Sequence, residues 1–183
     1  MDMPMEELPE DPSRSYEKIN EGDLEILAEQ ARNDREQFFL RRPRLGELYK
    51  GRIICVALCQ GAAAHYVDPQ RGVKDFDVWT FFAAHPEAPI PPRRIGRGDF
   101  GPSKFGRDPR ETSGLGRRID FLMRSIRCVQ RDPVPALHEY LSNGKTRTAQ
   151  LLALKAVVLI EPASLRGTVV WAMGEAVNFR PQE

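Results

Sequence analysis

No apolar run in this chain approaches the roughly 18 residues needed to cross a bilayer. The opening MDMPMEELPEDPSR lacks the basic stretch that leads a secretory signal. A cytoplasmic protein without a membrane partner is the expectation. Cysteine is scarce as well. Cys55, Cys59 and Cys128 sit among apolar neighbours without CxxC or Cys/His spacing, which argues against a disulfide framework or zinc site and leaves three reduced core thiols. Internal repeats are missing, and with them the solenoid and propeller architectures. An excess of one charge sign is missing too: 27 Lys and Arg face 26 Asp and Glu, for a net charge of +1. The total hides a segregation, because the first thirty residues are acidic and the stretch from Arg93 to Arg131 is strongly basic.

What is present suits one soluble domain, with 41% apolar and 29% charged residues over 183 positions. Residues 1–20 combine Met, Pro, Glu, Asp and Ser without periodicity and are expected to form a flexible acidic arm. Residues 21–183 are expected to form a single domain. Leu24, Leu27, Ala28, Ala31, Phe38 and Phe39 recur at partly helical spacing, so a helix is expected from Glu21 to Leu40, with Asp23 as its N-cap and an end before Pro43. The RRPRLGE stretch reads as a connection. Gly51 to Cys59 reads as a strand buried on both faces. A glycine, Gly61, ends it, Ala62 to Tyr66 form a short helix, and VDPQRG turns the chain into a second strand, Lys74 to Ala83.

Between His85 and Arg118, the density of Pro, Gly and Arg argues against any regular strand and for a long functional loop. A third strand is expected over Arg118–Met123. Helices follow at Pro135–Leu141, capped by Asn143-Gly144, and at Ala149–Ile160, stopped by Pro162. TVVWAM fits a strand or a helix equally. The fold class is therefore α/β: a mixed sheet with flanking helices and a helical C-terminal part.

Three carboxylates stand out. Asp75 and Asp77 are two apart on one strand, so their side chains project side by side from one face. Asp120 is embedded between Ile119 and Phe121 on another strand. Neighbouring carboxylates repel, and burying them is costly unless a cation lies between them; a hard divalent cation that prefers oxygen ligands is the natural candidate. Upstream, the turn at Gly61-Ala62 opens a helix whose free backbone N–H groups suit the phosphates of a nucleotide. His65, one turn on, is a candidate phosphate contact, and Arg71 and Lys74 flank the paired aspartates. Lys104, Arg107, Arg117 and Arg118 are candidate contacts to a nucleotide or nucleic acid. Trp79 and Phe105 read as packing residues.

An apolar strand, a Gly-small turn, a short helix, an Asp-x-Asp strand and a later strand with a third Asp together resemble the nucleotidyltransferase superfamily typified by DNA polymerase β. The resemblance covers roughly Ile53 to Leu122 and implies a catalytic core over about 51–126. It matches Gly61 and Ala62 to the glycine turn, Asp75 and Asp77 to the paired metal ligands and Asp120 to the third. It implies a Mg²⁺-dependent two-metal site, with Mn²⁺ as an alternative, and nucleotide binding by Gly61, Ala62, His65, Lys74 and Lys104. The implied reaction moves a nucleoside monophosphate from a nucleoside triphosphate to an acceptor such as RNA or protein, with release of pyrophosphate. The family has Gly or Ser where this chain has Ala62, which offers only its backbone N–H. That departure favours a second expectation, a noncatalytic member that binds nucleotide or nucleic acid through the same cleft and basic loop.

Overall fold

The structure, a computed structural model, describes residues 10–90 and 95–173. Helix α1 spans Glu21–Arg41. Its start is a capping box: the Asn20 side chain accepts from the Asp23 N–H, and the Asn20 N–H donates to Asp23 Oδ2 at 2.7 Å. The N-cap is thus Asn20, and Asp23 is the reciprocal third residue of the first turn. Pro43 does not simply stop the chain. It opens a second helix, α2 (Pro43–Tyr49), in place of the expected connection, because a proline lacking N–H suits a helix's first turn.

Next come β1 (Ile53–Cys59), α3 (Gln60–Val67), β2 (Phe76–Ala83), β3 (Ile95–Asp99), β4 (Arg118–Ile126), α4 (Pro133–Asn143), α5 (Arg147–Leu152), β5 (Ala156–Glu161) and β6 (Val169–Trp171). The strands form one mixed six-stranded sheet in the order β3-β4-β2-β1-β5-β6. Only β2 and β4 run parallel; the other neighbours are antiparallel. With helices on both faces, the fold is α/β. None of the described helices is long and apolar enough to cross a membrane.

Strand alternation divides the core. On one face Val56, Leu58, Phe76, Val78, Ile119 and Phe121 pack against Leu24, Leu27 and Ala28 of α1 and against Ala62 and Ala63 of α3. On the other, Cys55, Ala57, Cys59, Phe81 and Leu159 pack against Leu137 and Leu141 of α4. All three cysteines are free, and burial pushes the Cys55 thiol up to about 12, so it stays protonated.

Three expectations are corrected here. The helix expected over Ala149–Ile160 ends at Leu152, and AVVLIE becomes β5, paired with β1. A continuous apolar run has no period to separate helix from strand; its β-branched residues suit a strand buried on both faces. The Pro/Gly/Arg loop contains a strand after all, since IGRGD pairs with β4 at the sheet edge. Glycine is what admits it: a Cβ on Gly98 would lie 2.7 Å from the Phe121 ring and 3.2 Å from Gln30 Oε1.

The third correction concerns the arm. Residues 10–20 are seated on the domain, with Ser15 and Val73 exchanging backbone hydrogen bonds of 2.8 Å and Ile19 buried. Residues 1–9 lie outside the described residues. The link between arm and loop is Arg117, a buried guanidinium that donates to the carbonyls of Ser13 at 2.6 Å, Phe105 at 2.8 Å and Lys74 at 3.4 Å.

Gly116, next to it, lies against the Gly101 backbone, where any Cβ would collide with the Gly101 carbonyl group. Backbone cannot step aside as a flexible side chain can. Gly116→Ala is therefore expected to lower the unfolding free energy by about 2–3 kcal/mol. A urea titration checks this, and an unchanged midpoint would show that the loop accommodates the methyl group.

Candidate functional site

The register between β2 and β4 sets Asp77 directly opposite Asp120 on adjacent parallel strands. Asp75 lies just ahead of β2, two residues before Asp77, so the three carboxylates gather at one end of one sheet face. Arg118, two residues before Asp120 and on the same face of β4, stands among them. Its Nη2 is 2.9 Å from Asp75 Oδ2 and 3.1 Å from Asp120 Oδ2. Burial disfavours the guanidinium's charge, but Asp120 and Asp75 prevail and hold its pKa above the ordinary value.

One cation does not balance three carboxylates. Burial, then Asp75 and then Asp120 push the Asp77 carboxyl up to about 7, against the opposing pull of Arg118 and Lys155. Asp120 Oδ1 is buried and has no hydrogen-bond partner among the described residues. As the side chains stand, no cluster of three Asp, Glu, His or Cys residues among the described ones is placed to hold a metal. The donor set nevertheless fits a hard divalent cation: the ligands are all carboxylate, one oxygen is unpartnered, and negative charge remains uncompensated.

A cleft of about 390 Å³ opens beside the carboxylates. Asp75 and Asp77 line one part, the Gln60-Gly61 turn another, Trp79 and Leu122 form an apolar wall, and Arg14, Lys74 and Lys155 make a positive rim. Gln60 has φ 59°, the one positive value at a non-glycine among the described residues, so the β1–α3 turn is a strained position of the kind found at ligand clamps. No side chain caps the first turn of α3, so its N–H groups have no side-chain acceptor and its positive dipole end has no capping carboxylate. Lys155 adds to this charge, with Nζ 4.0 Å from where a Gly61 Cβ would be. A helix N-terminus facing an ammonium is an arrangement that an anion between them would stabilise.

Among the residues expected to bind nucleotide, Gly61 and Lys74 line this cleft. Ala62 packs its methyl group in the core at 1% exposure, so only its backbone is available. His65 and Lys104 are corrections. His65 is fully buried, and its Nε2 is 2.7 Å from the Glu17 carbonyl oxygen, so it holds the N-terminal segment. Lys104 pairs with Asp23 at 2.9 Å and lies over the Phe105 ring, lining a separate groove with Arg14 and Tyr16. Arg107 donates to the Gly114 carbonyl and Arg117 is structural, so neither reaches the cleft.

Lys155 and Arg14 are the functional candidates that the sequence did not single out. A bridge between Gln60 and Ala156 brings Lys155 beside Gly61, which nothing in an assumed helix at 149–160 would suggest. Arg14 reaches the rim because its segment is seated rather than free, donating to the Gly72 carbonyl at 3.3 Å.

The chain was compared with family models, curated proteins and solved structures, and none matches.

The Asp77 carboxyl carries a consequence for stability. Its folded-state value lies above that of the unfolded chain, so the folded protein holds an extra proton between the ordinary carboxylate value of 3.8 and about 7. The stabilisation is complete below the unfolded value and is lost as pH rises through about 7. In metal-free buffer this loss is expected to be on the order of 2 kcal/mol between pH 5 and 8, and Asp77→Asn should remove it. Urea titrations of both proteins at the two pH values measure the difference. Equal losses would mean that Asp77 does not carry the proton.

Proposed function

We propose that this protein is a metal-dependent nucleotidyltransferase, acting in the cleft between the α3 N-terminus and the three carboxylates. The observation that carries the reading is the juxtaposition of an acidic end, with Asp77 opposite Asp120, and a positive end built from Gly61, Lys155, Lys74 and Arg14. A nucleoside triphosphate needs both. Its terminal phosphates suit the N–H groups of Gly61 and Ala62 and the rim cations, which neutralise them as pyrophosphate leaves. Trp79 and Leu122 offer an apolar wall for the nucleoside.

Asp75, Asp77 and Asp120 would hold Mg²⁺ or Mn²⁺, once Arg118 gives up the oxygens it now occupies. When bound, such a cation polarises the reacting phosphate and acidifies an attacking hydroxyl. In the transfer the acceptor oxygen bonds to the α-phosphorus, the bond to the β-phosphate oxygen breaks, and pyrophosphate departs with the bonding electrons. Asp120, whose Oδ1 is unpartnered among the described residues, is the carboxylate suited to receive the acceptor's proton once Arg118 moves away.

One observation favours a second reading. Arg118 already bridges Asp75 and Asp120, as in a protein that binds nucleotide without metal and transfers nothing. Incubation with labelled nucleoside triphosphates, Mg²⁺ and a cell extract separates the two. The expected result is a labelled product that Asp77→Asn reduces at least about 100-fold, with the variant's circular dichroism unchanged. Nucleotide binding with no product would support the second reading, and full activity in the variant would sink the first.

A further inference from the structure

A second cavity, about 610 Å³, lies at the far end of β4. It is lined by three cationic side chains, Arg124, Arg127 and Lys145, with Tyr140 and Thr146, and by one carboxylate, Glu139. Arg127 and Lys145 are exposed and have no ion-pair partner among the described residues. A half-open cavity with this excess of positive charge favours an anionic occupant.

The cavity lies on the same sheet face as the carboxylate cleft, further along β4. Asp120, Leu122 and Arg124 alternate along one face of β4, and the neighbouring β2 residues on that face are Asp77, Trp79 and Phe81, in register with them. Leu122 and Trp79 line the cleft, while Arg124 lines the cavity. From Asp120 to Arg124 is four residues, or about 13 Å at strand rise. Along this row two donors are buried without partners among the described residues, Trp79 Nε1 and Arg124 Nε. Arg124 is otherwise held in place, its Nη1 donating to Thr148 Oγ1 at 2.9 Å. Unpaired buried donors are costly, so a small shift of either side chain toward an incoming acceptor oxygen would be favoured.

We infer that this cavity receives the acceptor of the transfer and that the acceptor carries a phosphate group, held by Arg124, Arg127 and Lys145 while its hydroxyl reaches Asp120. The inference rests on the nucleotidyltransferase reading for the word acceptor; the phosphate site rests on the cavity itself. The phosphate belongs to a small phosphorylated sugar or to the end of a nucleic acid strand.

Calorimetry on the full chain at low salt tests this with four probes: ribose, ribose 5-phosphate, a single-stranded RNA tetranucleotide and a nonhydrolysable nucleoside triphosphate with Mg²⁺. Ribose should not bind, and at least one of ribose 5-phosphate and the tetranucleotide should. Which of the two binds identifies the source of the phosphate. In the Arg127→Ala/Lys145→Ala double variant, that affinity should fall at least about tenfold with a shallower salt dependence, while triphosphate affinity stays unchanged. Both side chains are exposed, so the variant is expected to fold.

Equal affinity of the phosphate probes for wild type and variant, or no binding of either probe to wild type, overturns the phosphate site. Failure of the triphosphate to bind while the phosphate probes behave as expected overturns the transferase reading and the acceptor role, and leaves an anion site of the stated composition.

Discussion

Three carboxylates share one end of a sheet face, and a guanidinium from the strand that carries Asp120 stands between the oxygens of Asp120 and Asp75. Coulomb repulsion among Asp75, Asp77 and Asp120 would splay the ends of β2 and β4 if nothing opposed it. Arg118 opposes it at 2.9 and 3.1 Å. The compensation is partial: burial and then the neighbouring carboxylates draw Asp77 toward its neutral form, and one oxygen of Asp120 stays unpartnered among the described residues. Any further cation entering this cluster meets the oxygens that Arg118 already uses. The arginine thus stabilises the strand pair and competes for its carboxylates.

Around that point the charges are sorted by element. The acids come from the start of β2 and β4, whereas the cations of the rim come from the N-terminal segment, the turn before β2 and the residue preceding β5. A ligand that spans both signs is therefore held by parts of the chain far apart in sequence. The row formed by Trp79, Leu122 and Arg124 extends the same face toward a second, cationic cavity. One side of the sheet is packed by α1 and α3; the other is covered by α4 only in part, and the polar chemistry gathers where that cover ends.

Much of this was legible in the residues. Local chemistry announced itself well: the apolar run of β1, the glycine at the start of α3, and the three aspartates set against apolar neighbours. The period of 2 in Asp75 and Asp77 and the isolated Asp120 are signals that survive without knowledge of pairing. Register did not survive. Lys155 reaches the cleft only because β5 lies beside β1, and AVVLIE has no periodicity to reveal that it is a strand. His65 and Lys104 misled for the opposite reason, since nearness in sequence to the turn or the basic loop does not say which partner a side chain meets: His65 meets the Glu17 carbonyl and Lys104 meets Asp23. His65 is turned into the core by the helix whose first turn faces the cleft. IGRGD was hidden because glycine weakens a strand in general, whereas here the missing Cβ makes room for Phe121.

The Arg117 clamp has a consequence beyond holding a loop. Its guanidinium ties Ser13, Lys74 and Phe105 into one unit, and Arg14 on the cleft rim is adjacent to Ser13 in that unit. Occupancy of the rim and attachment of the N-terminal segment are then thermodynamically linked. An anion that binds Arg14 must protect the backbone of residues 13–15 from hydrogen exchange by the same free energy with which the docked segment strengthens anion binding. Residues 10–20 behave as a strap whose tension the ligand sets.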